Sequence, residues 1–212
     1  MDTPGLDGDG DGPVPADAVV VVPVKAFGLA KVRLSDVLDG DQRAALARAM
    51  AGRVVAAAAP LGVTVVCDDD GVADWARAAG AAVVWTPGLG LNGAVTAAVH
   101  RLAGAGVARA VVAHADLPFA ADLAALAAAE ADEVVLVPDR RHDGTNVLSV
   151  PTASGFVFAY GAGSLDQHRA ECARLGLRVR VVDAEHLGWD VDEPADLDVP
   201  AHLGMLPGGC DT

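Results

Sequence analysis

Both lysines of this sequence, Lys25 and Lys31, fall in one short segment, Pro23–Leu34, with Arg33 beside them. An ammonium group acts on phosphate as a compact point charge, and a guanidinium grips it in a fork. Three such cations also suit a plain solvated loop. Their position argues for more: the segment directly follows Ala18–Val24, a β-branched run that reads as a buried strand. In sheets of parallel strands, ligands sit just past the carboxyl ends. An anion held by Lys25, Lys31 and Arg33 is therefore expected at that edge. The sequence has no Walker motif and no G-x-G-x-x-G, so neither a P-loop nor a dinucleotide oxidoreductase is indicated.

Carboxylates recur at the ends of other strands. Asp116, in His114-Ala115-Asp116-Leu117-Pro118, follows the apolar run Ala108–Ala113. Asp190 and Asp192 lie two residues apart, and alternate residues of an extended chain point the same way. Oxygen ligands of this kind suit Mg²⁺, which commonly also binds substrate phosphates. A loop or N-cap carboxylate is the plain account of Asp116. A polar turn before a helix starting near Pro194 is the plain account of Asp190 and Asp192. The nearby cations favour a shared metal at Asp116, Asp190 and Asp192. The run Asp68-Asp69-Asp70 reads more simply as a solvated turn with a helix N-cap, with a base or ribose contact as the alternative.

A second anion site is expected where Asp143-Gly144-Thr145-Asn146 meets Tyr160-Gly161-Ala162-Gly163-Ser164. Ser164 reads as an N-cap, and free backbone N–H groups at a helix start attract anions. Thr145, Gly161 and Ser164 can hold a carboxylate or phosphate of a small acceptor, although capping and turn chemistry account for them too. His168 and Arg169 on the following helix read as surface residues. Trp75, Trp85 and Trp189 read as packing residues. No Ser-His-Asp or H-E-x-x-H pattern supports a hydrolase.

The elements that must position these groups alternate along the chain. Strands are expected at 18–24, 63–67, 82–85, 108–113, 133–137 and 178–182, with a further one at 146–150 that is antiparallel if it forms. Helices are expected at 41–59, 71–79, 91–103, 120–129 and 164–175. This alternation predicts an α/β fold, a mostly parallel sheet with helices on both faces. The 212 residues fit one domain, and 52% hydrophobic residues with only 4% aromatics imply a core of Ala, Val and Leu. Residues 1–17, rich in Asp, Gly and Pro, read as a disordered acidic arm, 18–206 as the domain and 207–212 as a flexible tail. A net charge of -14 opposes nucleic-acid binding, and any phosphate site must be locally basic or use a metal. Cys67, Cys172 and Cys210 lack zinc spacing and suggest no disulfide framework. Neither a signal peptide nor a membrane span is evident, so the cytoplasm is the expected compartment.

Taken in order, Pro-Val-Lys-x5-Lys-x-Arg-Leu at 23–34, Leu91-Asn92, Asp116-Leu117-Pro118, Asp143-Gly144-Thr145-Asn146, Gly161-x2-Ser164 and Asp190-x-Asp192 resemble the phosphoenolpyruvate or 2-phospho-L-lactate guanylyltransferases of coenzyme F-420 biosynthesis. Each piece is modest alone, and the ordered set is specific. The resemblance runs from about Val20 to Leu197. It implies a single Rossmann-like nucleotide-diphospho-sugar-transferase domain that uses GTP and Mg²⁺. Such an enzyme joins GMP to phosphoenolpyruvate or a related phospho-acid and releases pyrophosphate. Its product is handed to a transferase that loads the phospho-acid onto the deazaflavin precursor. By position, the resemblance implies acceptor binding at Thr145, Gly161 and Ser164, with Asn92 also in the substrate site. It implies metal binding at Asp116, Asp190 and Asp192, and nucleotide phosphates at Lys25, Lys31 and Arg33. Two other readings stand beside it. Molybdenum-cofactor or sugar-phosphate nucleotidyl transfer is disfavoured because only Gly28 lies in the loop after the first strand, where those relatives are glycine-rich. A catalytically silent nucleotide-binding protein would bind GTP without releasing pyrophosphate.

Overall fold

The computed structural model describes residues 17–207. The arm expected at 1–17 and the tail at 207–212 lie outside this range, apart from Asp17 and Pro207, as does Cys210. Seven strands form one sheet: β1 (Ala18–Pro23), β2 (Gly62–Cys67), β3 (Ala82–Trp85), β4 (Arg109–Ala113), β5 (Glu133–Pro138), β6 (Thr145–Pro151) and β7 (Arg178–Val181). The spatial order is β3-β2-β1-β4-β6-β5-β7. Only β6 runs antiparallel to its neighbours, β4 and β5. This sheet bears out the α/β expectation, including the reversed strand.

Alternation along each strand sorts side chains between two helical layers. Val20 and Val22 face α1 (Gly40–Ala57) and α2 (Asp70–Ala78), in a core with Ala51, Val54, Val72 and Ala76. Val21 faces the opposite way, into a core with Val95 and Val99 of α3 (Gly90–Gly104) and Leu165 and Cys172 of α4 (Ser164–Leu175). Four of the seven buried residues on α1 and α2 are alanines. Asp39 caps α1 in a capping box with Gln42, and Asp69 caps α2 by accepting from Val72 N at 2.9 Å. The bland reading of the Asp68–Asp70 run is thereby borne out at Asp69, while Asp68 lines the cavity described below. Cys67 and Cys172 are free, buried thiols.

The helix expected at 120–129 does not form. Its place is taken by a 3-10 turn, Leu123–Ala127, entered through a left-handed Asp122 at φ 53°. Leu123 and Leu126 are both buried, and a spacing of three matches the 3-10 repeat rather than the α repeat. Carbonyls flanking the turn are claimed by arginines: Arg53 Nε donates to Ala120 O, Arg109 to Glu130 O and Arg180 to Ala128 O. The residues after Pro194 likewise form a short 3-10 turn, Pro194–Leu197, rather than a longer helix.

The chain leaves β1 toward β2 on one side of the sheet, and β4 lies on the other. The carboxyl ends of β1 and β4 therefore flank the point where the strand order reverses, which is where a ligand crevice is expected.

Candidate active site

After β1 the chain makes two 3-10 turns, Phe27–Leu29 and Val32–Leu34, with Lys31 between them in the left-handed region at φ 55°. Two anchors hold this segment. Phe27 packs edge-on against Trp75 at 5.3 Å, and Leu34 is buried with Met50 and Val191. The second anchor joins the segment to the acidic stretch 190–192. That stretch is in turn tied to β4, because Val191 N donates to Asp116 O at 3.3 Å.

The result brings Lys31, Asp116 and Asp192 together. Lys31 Nζ donates to Asp116 Oδ2 at 2.7 Å and to Asp192 Oδ1 at 3.0 Å. The lysine side chain is only 9% exposed, against 23% for Asp116 and 44% for Asp192. Burial pulls the Lys31 ammonium toward its neutral form, but the two carboxylates outweigh it and hold the pKa above its ordinary value. Burial pushes the Asp116 carboxyl up, and Lys31 more than offsets this, leaving it below the ordinary range. Asp190 lacks such a partner. Burial first, then the charges of Asp116 and Asp192, push it up to about 6. Asp190 thus feels the charge of the other two, but it is not among the residues that line the cavity between them.

A cavity of about 560 Å³ opens here, lined by Lys25, Lys31, Arg33, His114, Asp116 and Asp192 over a floor that includes Val24, Cys67 and Leu91. All three sequence-singled cations reach it. Lys31 is not free within it, since its ammonium is committed to two carboxylates. Asp116 Oδ1 and His114 Nε2 are buried and have no hydrogen-bond partner. Burial pulls His114 below its usual pKa, and Lys31 adds to this, while Asp116 and Asp192 oppose it.

The second cluster sits one aromatic ring away. Tyr160 contacts His114 at 5.0 Å between centroids on one side and His168 at 4.9 Å on the other. Thr145 and Ser164 are both buried, with their hydroxyl oxygens 3.5 Å apart. His168, expected on the surface, is fully buried, because α4 turns it toward β6. Its Nε2 accepts from Ala159 N at 3.1 Å, which leaves Nδ1 to carry the proton and donate to Thr145 Oγ1 at 3.0 Å. Burial holds this imidazole down to about 4.

Two expectations at this cluster change. Ser164 is not the N-cap of α4. Gly163, left-handed at φ 67°, takes that place, and Ser164 turns its side chain inward. The N–H groups at the helix start are also not all free. Asp143 Oδ2 accepts from Gly163 N at 3.1 Å, Asp143 O accepts from Leu165 N, and Gly161 O accepts from Ser164 N. A carboxylate of the chain already satisfies the anion preference of that helix end. Gly161, at φ 136°, occupies backbone that a side chain rarely adopts. Asn92 spends both ends of its amide on one residue: Oδ1 accepts from Tyr160 N at 2.7 Å and Nδ2 donates to Tyr160 O at 3.2 Å. It holds the 160–163 segment in place.

Two residues missed by pattern reading, Asp196 and Arg140, stabilise the acidic stretch together with Trp189. Asp196, 1% exposed, accepts from Asp192 N and Glu193 N, both at 2.7 Å. Arg140 pairs with Asp196 and stacks over Trp189 at 4.1 Å, and Trp189 Nε1 donates to Asp196 O. Trp189 is therefore more than packing. The only local signal for Asp196 was its place two residues after Pro194, where a carboxylate can cap a turn.

The donor set is hard oxygen, and the unpartnered Asp116 Oδ1 together with the unpaired Asp190 fits a divalent cation of the Mg²⁺ type. Among the described residues, no three His, Cys, Asp or Glu side chains converge closely enough to bind a metal by themselves. Lys31 Nζ bridges Asp116 and Asp192 in this arrangement.

Residues 18–202 match the family described as guanylyl transferase CofC like. A phosphoenolpyruvate guanylyltransferase of Rubrobacter xylanophilus is 39% identical over 184 residues, covering 84% of this chain and 90% of its own. One from Streptomyces coelicolor is 41% identical over 198 residues, covering 89% and 92%. Among solved structures, a nucleotidyl transferase from Methanothermobacter superposes with a TM-score of 0.61 at 15% identity, covering 88% of this chain and 97% of its own. A CMP:2-keto-3-deoxy-manno-octonic acid synthetase complexed with CTP gives 0.55 at 14%, covering 85% and 95%. These two likenesses establish the nucleotidyltransferase fold, and the sequence match over nearly all of the described residues establishes more: the chain belongs to the CofC-like guanylyl transferase family.

Proposed function

We propose that this protein transfers GMP from GTP to the phosphate of phosphoenolpyruvate or a closely related phospho-acid, releasing pyrophosphate, in the cytoplasm. The observation that carries the reading is the meeting of Lys31, Asp116 and Asp192 beside a cavity that Lys25 and Arg33 also line. Family membership supplies the choice of guanylyl transfer, and the named relatives supply the acceptor.

An acceptor phosphate oxygen attacks the α-phosphorus of GTP. A new P–O bond forms as the bond between the α-phosphorus and its bridging oxygen breaks, and the electron pair leaves with pyrophosphate. Lys25 and Arg33 offset charge on the triphosphate and on the departing pyrophosphate. Lys31 balances the Asp116 and Asp192 carboxylates at the wall of the same cavity. Asp116, Asp190 and Asp192 are the residues that would hold Mg²⁺, which when bound neutralises charge on phosphate oxygens. Thr145, Gly161 and Ser164 seat the acceptor. His168 fixes the Thr145 hydroxyl, and Asn92 fixes the segment carrying Gly161. The acceptor phosphate is already ionised near neutral pH, so the reaction needs no general base. Positioning and charge provide the acceleration. The product then passes to a transferase that consumes its phospho-acid half.

The test is a matrix of nucleotides and acids. The protein is incubated with Mg²⁺, each nucleoside triphosphate, and phosphoenolpyruvate, 2-phospholactate or 3-phosphoglycerate, and pyrophosphate is followed. Release with GTP and phosphoenolpyruvate is expected. Nucleotide binding with no release for any acid would overturn the reading.

A further inference from the structure

Asp190 and Asp192 sit on a stretch with little regular structure. It runs from the short helix α5 (Glu185–Gly188) to the 3-10 turn at Pro194–Leu197. A carboxylate pair on such a stretch is useful to a cation only if the backbone is held in one position. Several hydrogen bonds provide that hold. Entry is fixed by Asn146 Nδ2, which donates to Leu187 O at 3.0 Å and Gly188 O at 3.1 Å, and by Arg140 N, which donates to Gly188 O. The middle is tied by Val191 N to Asp116 O. The exit depends on one side chain: Asp196 Oδ2 takes both Asp192 N and Glu193 N, while Oδ1 faces Arg140 and, at 3.5 Å, Arg141.

We propose that Asp196 is a positioning residue, which aims the Asp192 carboxylate at the cation through its backbone, with Arg140 as the counter-ion that fixes Asp196. The inference rests on the function proposed above. Arg140 is well suited to the task because its own loop is rigid. Asp139 accepts from Arg141 N, Asp143 N and Gly144 N, each at 3.0 Å, so one carboxylate organises the whole turn. That turn also carries Asp143, whose carboxylate holds Gly163 N. A continuous set of hydrogen bonds therefore joins the proposed acceptor cluster to the acidic stretch, with the Arg140–Asp196 pair as its link.

Two consequences separate positioning from simple fold support. First, the effect should fall on the cation rather than on the nucleotide. Second, Asp196→Asn should do less harm than Asp196→Ala, since the amide oxygen still accepts from the two backbone N–H groups. The experiment measures Mn²⁺ affinity of the free protein by electron paramagnetic resonance, thermal unfolding, and the Mg²⁺ and GTP dependence of pyrophosphate release with phosphoenolpyruvate. For Asp196→Asn we expect Mn²⁺ affinity to fall about tenfold, the Mg²⁺ requirement to rise by a similar factor, and the KM for GTP to change less than twofold. Because Asp196 is buried and Asp196→Ala risks misfolding, Arg140→Met provides the second variant. It should weaken Mn²⁺ in the same direction. Mn²⁺ affinity unchanged in both folded variants would overturn the proposal, as would equal losses for Mg²⁺ and GTP. Absence of wild-type turnover with every acid would instead sink the proposed function, and the Mn²⁺ measurement would still judge Asp196.

Discussion

Replacing Lys31 with methionine keeps most of the side-chain volume and removes the charge, so it isolates what the ammonium does. In the wild type that charge lies 2.7 Å from Asp116 and 3.0 Å from Asp192. Removing one partner of a fully buried ion pair costs about 3–5 kcal/mol, and an exposed pair is worth roughly 0–1 kcal/mol. Here the ammonium is buried, but both carboxylates keep some contact with water. The cost at neutral pH should therefore be about 1–2 kcal/mol, or about 2–8 °C in Tm for a domain of this size. The loss has a pH signature. Lys31 holds the folded-state pKa of Asp116 below its unfolded value, so this contribution is present above the unfolded pKa of 3.8 and disappears as pH falls through the folded value. The gap between variant and wild type should begin to narrow below about pH 4 and close once pH has fallen through the folded value. Added Mg²⁺ should raise the Tm of Lys31→Met more than that of the wild type, since two carboxylates have lost their cation. Pyrophosphate release should fall by about a hundredfold or more. The assay is thermal unfolding from about pH 2 to 8, with and without Mg²⁺, beside a pyrophosphate assay. A Tm deficit that is the same at every pH would mean that the lysine acts through packing, and the electrostatic account would be refuted.

Three further perturbations test other parts of the site. Asp190, pushed up to about 6, binds its proton more tightly folded than unfolded, so its contribution to stability is present below pH 3.8 and lost as pH rises through 6. His168, held down to about 4, contributes stability that is present above its ordinary 6.5 and lost as pH falls toward 4. The two oppose each other by about 2 and 3 kcal/mol respectively. Asp190→Asn should therefore turn a nearly flat stability profile between pH 4 and 6.5 into one that rises with pH, as read by thermal melts. Ser164→Ala should raise the KM for phosphoenolpyruvate about tenfold and leave that for GTP within twofold, in steady-state pyrophosphate release. Gly144→Ala would bring a methyl carbon within 2.8 Å of Asp139 Oδ2 and displace the carboxylate that organises the 139–144 turn. A loss of about 1–3 kcal/mol by denaturant unfolding is expected.

The strands and most helices were legible because burial repeats with a local period. Val20, Val21 and Val22 alternate between two cores, and the sequence at 18–24 could announce a strand buried on both faces. The β6 reversal was legible only as an option, since nothing in Thr145–Pro151 itself records its direction. The helix at 120–129 misled because alanine favours helix, while the arginines that capture the turn's carbonyls come from distant segments. The candidate site was legible in its residue types at strand ends. Its pairings were not. Lys31 reads as a cation for phosphate, and only the fold brings it to carboxylates 85 and 161 positions away. His168 was missed for the same reason, since it is buried against Thr145 of β6. Asp196 takes backbone N–H groups only three and four residues back, and what hid its role is the distant arginine that pairs with it.

The most direct measurement of the account compares Asp116→Asn with the wild type, following pyrophosphate release from GTP and phosphoenolpyruvate alongside thermal unfolding. Turnover should fall about a thousandfold while the Tm moves by only a few degrees. Near-normal release with Mg²⁺ dependence intact would remove Asp116 from the chemistry and contradict the account.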